Sequence, residues 1–132
     1  MTVLLVSVFL LLVISTYPAL ELANYDNKYL YVSTAYGYSM YPTIKNGDLL
    51  VVVLKTSPYY HPEVGDVLIY RYSDQIIVAH RLAGIRGSTY IFKGDNNRYY
   101  EEVPEEKIIG EVIEVIPHEN ILACWVVENL IK

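Results

Sequence analysis

Gly65-Asp66-Val67-Leu68-Ile69-Tyr70-Arg71-Tyr72-Ser73-Asp74-Gln75-Ile76-Ile77-Val78-Ala79-His80-Arg81-Leu82 is the stretch that decides the fold. Gly65-Asp66 opens an apolar run, Ser73-Asp74 interrupts it, and Gln75 to Leu82 resumes it, the pattern of two adjacent strands in a hairpin. Upstream, Leu49 to Leu54 is almost wholly apolar and follows Gly47-Asp48, as a buried strand follows a turn, and Lys55 to Glu63 is a loop punctuated by Pro58 and Pro62. Downstream, Gly84 and Gly87 break the chain before Tyr90-Ile91-Phe92-Lys93, a strand that runs into the polar loop Gly94-Asp95-Asn96-Asn97. Glu101 to Lys107 reads as acidic and exposed, and Ile108 to Ile116 as a final strand stopped by Pro117. Five or six short strands separated by turn signals predict a mainly β domain. Asn120 to Lys132 is apolar but too short to span a bilayer, and reads as a core-covering or interfacial helix.

At 132 residues and 53% hydrophobic composition, the chain suffices for one modest domain and one membrane segment. Val3 to Leu20 carries no charge and approaches the ~20 residues that cross a bilayer. Residues 1–22 are therefore expected to form a transmembrane anchor, with 23–132 as the domain on the extracytoplasmic or lumenal side. A cleaved signal peptide is the rival reading; the missing basic n-region and the length of the run favour the anchor. Fourteen tyrosines, several of them between Tyr25 and Tyr36, suit a membrane–water interface as well as strands. The net charge of -5 argues against nucleic acid, whose phosphates call for a basic face. Cys124 is the single cysteine, which excludes an internal disulfide and a cysteine-built zinc site.

The chemistry is expected in Tyr36-Gly37-Tyr38-Ser39-Met40-Tyr41-Pro42-Thr43, where a glycine and a proline shape a loop around one small hydroxyl. Ser39 is the candidate nucleophile. A serine hydroxyl needs a base to take its proton, and that base benefits from an orienting acceptor. Of the three histidines, His61 and His118 sit in proline-marked loops and read as solvated, whereas His80 ends an apolar strand whose scaffold can fix its ring.

Ser39-Met40-Tyr41-Pro42-Thr43, Gly65-Asp66-Val67, His80-Arg81 and Gly94-Asp95-Asn96-Asn97, in this order behind an apolar N-terminus, closely resemble the type I signal peptidases. Histidine rather than lysine before Arg81 is similar to the archaeal and endoplasmic-reticulum branch. The resemblance implies a membrane-bound serine endopeptidase with a mostly β catalytic domain that removes signal peptides from exported precursors and needs no metal or organic cofactor. It implies Ser39 as nucleophile, His80 as base, and an acid from the Gly94 to Glu102 loop, Asp95 or Glu101, as the orienting group. Met40 and Pro42 would flank bound substrate, and the Ser39 N–H would lead the oxyanion hole. Precursors and membrane lipid are the implied partners, with further subunits of a membrane complex also admitted. Two departures stand out. Glu101 occupies the place where the family usually has aspartate, and Gly37 replaces a serine that in some members helps bind the oxyanion.

Two other readings compete. A self-cleaving repressor-type peptidase domain has a related fold but resembles a lysine-based dyad, so the anchor and His80 speak against it. A catalytically silent, membrane-tethered peptide-binding module would have no use for both Ser39 and His80.

Overall fold

The computed structural model describes residues 26–131. Within them run β1 (Leu30–Thr34), β2 (Leu49–Leu54), β3 (Val67–Arg71), β4 (Ile77–Arg86), β5 (Thr89–Lys93), β6 (Glu101–Pro104), β7 (Ile108–Ile116) and the helix α1 (Ile121–Leu130). The seven strands form one sheet in the order β1-β2-β7-β3-β4-β5-β6, every neighbouring pair antiparallel. The anchor expected over 1–22 lies outside the described residues, and among those described no helix is long and apolar enough to cross a membrane.

The expected hairpin is β3–β4, with Val67 opposite Arg81 and Leu68 opposite His80. β2 is apolar throughout because both of its faces are covered. Leu49, Val51 and Val53 pack with Leu30, Ile116, Ala123 and Val127, so α1 covers this end of one face. Leu50 and Val52 pack on the other face with Met40, Ile44, Val67 and Ile69. A third cluster, Leu68, Tyr70, Leu82, Tyr90, Phe92, Val103 and Ile108, fills the β3–β6 end. Bulges between Val51 and Val52, Ile69 and Tyr70, and Leu82 and Gly84 interrupt the ladders, the device by which a long sheet bends. At Gly110 a Cβ would lie 2.3 Å from the Val53 carbonyl oxygen, so only glycine lets β7 approach β2 there.

One expectation is corrected, and one strand that forms as expected takes an unexpected place. Glu101 to Lys107 is not simply an exposed acidic stretch: Glu101–Pro104 is β6, paired along β5 with Glu101 opposite Phe92 and Val103 buried. With only one apolar residue pointing inward, the period-2 signal was hidden by flanking glutamates. Ile108–Ile116, the last strand in the sequence, is central in space and inserts between β2 and β3. The terminal segment is helical as expected, begun by Asn120, whose side-chain oxygen accepts the Ala123 N–H.

Candidate active site

His80 is buried on β4, and its Nδ1 lies 3.2 Å from Glu101 Oε2 on β6 and 3.0 Å from the Tyr70 hydroxyl on β3. Tyr70 also donates to Glu101 Oε2, closing a triangle of three side chains from three strands. The register explains the meeting: His80 opposes Leu68, so Tyr70 is its same-face diagonal neighbour, and β6 brings Glu101 alongside Phe92. Because the Tyr70 proton goes to Glu101, the proton on the two remaining edges of the triangle must come from His80 Nδ1. That leaves Nε2 as the basic nitrogen. Burial, then the Glu101 hydrogen bond and charge, push the Tyr70 hydroxyl well above its ordinary range, so it stays protonated and a donor.

Ser39 is half-buried and lines a cleft of about 210 Å³ between the end of β1 and the start of β4. Ser33, Ala35, Gly37 and Ala79 line it with small side chains, beside the larger Met40, Ile44, Ile69 and Ile77. The Ser39 loop is held by the turn after β5. The Ser39 carbonyl accepts the Asn96 N–H at 2.8 Å, the Tyr38 carbonyl accepts Asn96 Nδ2 at 3.0 Å, and the Asp95 N–H points at Met40 Sδ at 3.3 Å. Gly94 is buried here, and a Cβ on it would sit 2.7 Å from the Ser39 carbonyl oxygen. Arg81 pairs with Lys93; carried one residue further, the same register sets Gly94 across from His80. A missing side chain thus lets the Ser39 backbone dock beside the histidine strand. Among the described residues, neither the Ser39 hydroxyl nor its N–H makes a hydrogen bond, and none joins Ser39 to the His80 ring.

Asp95 does not touch His80. It receives two bonds from Arg81, Nε to Oδ1 at 2.9 Å and Nη2 to Oδ2 at 2.6 Å, and one from the Thr43 hydroxyl at 2.7 Å. The Arg81 bonds, against some desolvation and with help from Thr43, lower the Asp95 carboxyl to about 2. Arg81 also donates to the Gly65 carbonyl, so the residue after His80 ties the Ser39 loop, the β5–β6 turn and the Gly65 turn together. Of the two acids the resemblance offered as the orienting group, Asp95 is thus engaged instead in a bidentate ion pair with Arg81.

Met40 is buried beneath the loop, whereas Pro42 is exposed and does not line the cleft. His61 and His118 are exposed, as read from the sequence. His118, however, bonds the buried Asp48. Asp48, His118 and Glu119 bring three potential ligand atoms within 4.8 Å of one another. Asp48 already accepts the Lys45 N–H and both the backbone and ring N–H of His118, so the group serves as a loop clamp. Sequence reasoning missed Tyr70 and Thr43. Tyr70 carried a usable signal, because the hairpin register alone places it two residues along from the partner of His80.

The family model described as Peptidase S24-like matches residues 11–113. No curated protein matches the chain.

Proposed function

The chain belongs to the Peptidase S24-like family, and from that premise we propose that it is a serine endopeptidase that cleaves signal peptides from exported precursors. Ser39 attacks the scissile carbonyl, His80 Nε2 takes its proton and returns it to the leaving amine, and Glu101 holds the imidazole in the required tautomer. The observation that carries this reading is the contact of the enclosed His80 ring, through Nδ1, with the half-buried Glu101 carboxylate, on a strand beside which the Ser39 loop is docked. An unengaged Ser39 N–H suits an oxyanion, and nucleophile–base hydrogen bonds commonly tighten only with substrate bound. The small side chains around the cleft suit small substrate residues next to the cut, presented on an extended strand. The membrane anchor over 1–22, the extracytoplasmic placement of 23–132 and an assembly with other membrane subunits belong to this same proposal.

Purified full-length protein incubated with a signal-peptide-bearing precursor tests it. The expected product is the mature protein, cut after a small residue and absent with Ser39→Ala. Cleavage of the chain itself with the precursor intact would favour a self-cleaving repressor-type domain, and no cleavage of either would leave a peptide-binding module.

A further inference from the structure

We infer that Tyr70 is a positioning residue of this site: its hydroxyl, set between His80 Nδ1 and Glu101, fixes the imidazole tautomer and tempers how strongly the carboxylate holds the protonated ring. The inference rests on the reading of His80 as the base. Tyr70 is 1% exposed, so its hydroxyl has no bulk water to bond, and its partners are the two groups already named. Its ring is also held by aromatic packing. It stacks on Phe92 with centroids 4.6 Å apart and an interplanar angle of 29°, and meets the His80 ring edge-on at 6.1 Å and 66°.

The proton count follows from the chemistry of the three groups. An ionised Glu101 only accepts, and a phenol has one proton. If that proton went to Nδ1, the imidazole nitrogen and the carboxylate would face each other at 3.2 Å with no proton between them, two opposed lone pairs in a part-buried place. Donation by Tyr70 to Glu101, with Nδ1–H directed at the Tyr70 oxygen and the carboxylate, satisfies every group. The hydroxyl therefore plays two parts. It excludes the wrong tautomer, and as a donor to Glu101 it draws off charge that would otherwise stabilise the imidazolium.

Tyr70→Phe removes the hydroxyl and keeps the stacked ring. With one donor fewer, Glu101 attracts the protonated imidazole more strongly. The acid limb of kcat/KM should then move to higher pH by about half to one unit, with kcat on the plateau down roughly 3- to 10-fold and KM little changed. Site-specific 3-fluorotyrosine at position 70, a stronger donor with the same shape, should move the limb the other way. Proton NMR titration of the His80 ring, assigned by its loss in His80→Ala, should follow both shifts without relying on turnover. An unmoved limb and an unmoved ring titration in Tyr70→Phe would overturn the inference and leave Tyr70 a core ring. Full activity of His80→Ala would instead overturn the reading of His80 as base, whereas the NMR titration still decides whether Tyr70 acts through Glu101.

Discussion

Among the described residues, two histidine Nδ1–carboxylate pairs have nearly equal length and opposite burial. His80 Nδ1 lies 3.2 Å from Glu101, with side-chain exposures of 5% and 35%; His118 Nδ1 lies 3.0 Å from Asp48, with exposures of 45% and 5%. In the first pair the imidazole is enclosed and its other nitrogen makes no hydrogen bond among the described residues. In the second the carboxylate is enclosed. Burial works to raise the Asp48 carboxyl, but the Lys45 N–H and the ring and N–H of His118 overcome it and hold the group below its ordinary range. A buried acid saturated with donors fixes a loop, whereas a buried imidazole with a free nitrogen retains proton-transfer capacity. Contact distance alone does not separate the two; the location of the unused lone pair does.

The largest expected effect breaks that comparison outright. Ser39→Ala and His80→Ala should each lower kcat by a factor on the order of 10³ to 10⁶, with the double variant scarcely worse, because nucleophile and base share one step. His118→Ala should leave kcat within a factor of about two and lower stability by about 1 kcal/mol, as expected for one lost partner of a bond with an exposed end. Kinetics and thermal melts of the four proteins check this. A His118 variant as inactive as His80→Ala would identify the wrong pair as catalytic.

A finer cut separates the two acids of the site. Glu101→Gln should reduce kcat by roughly 10²- to 10⁴-fold with melting temperature nearly unchanged, because an amide accepts and donates and so favours the wrong tautomer. Asp95→Asn should instead lower stability by about 1.5–3 kcal/mol, the range for a hydrogen bond to a charged group, with activity following the fold. The pH signature differs as well. The Asp95 carboxyl is depressed to about 2 in the folded chain, below the ~3.9 of an unfolded aspartate, so its contribution is present above pH ~4 and is lost as pH falls toward about 2. Asp95→Asn should flatten acid unfolding in that window. A stable, inactive Asp95→Asn beside an active Glu101→Gln would reverse the two roles.

Much of this arrangement was legible before any coordinates. The β3–β4 hairpin and β2 follow from apolar runs bounded by Gly-Asp pairs, and His80 was marked by its place at the end of such a run. The resemblance offered both acids for the third role and could not rank them, since the choice depends on a pairing, Phe92 with Glu101, that creates β6. That strand was hidden because Glu101 and Glu102 masked the single inward Val103. The central position of β7 is likewise a long-range fact, made possible by the bare backbone of Gly110 against Val53 and visible in no local pattern.

The smallest expected effect concerns a half-buried acid outside both pairs. Glu111 on β7 lies opposite both Val53 and Leu68, and burial, then a hydrogen bond with Asp66 and the Asp66 charge, push it up to about 7. Where Asp48 stays ionised by collecting N–H donors, Glu111 gains the His61 N–H, which does not offset burial and the neighbouring Asp66. A carboxyl raised in the fold binds protons on folding, so the folded state is favoured at low pH, and stability falls as pH rises from the unfolded value near ~4.3 through about 7. Glu111→Gln keeps the shape and cannot ionise. It should therefore be more stable than the parent at pH 8 by about 1 kcal/mol, a fraction of the full linkage because relaxation and water soften the penalty, and nearly equal to it at pH 5. Denaturant melts at the two pH values check this. A variant less stable at pH 8 would mean that ionised Glu111 has donors enough, and that the contrast with Asp48 is one of degree.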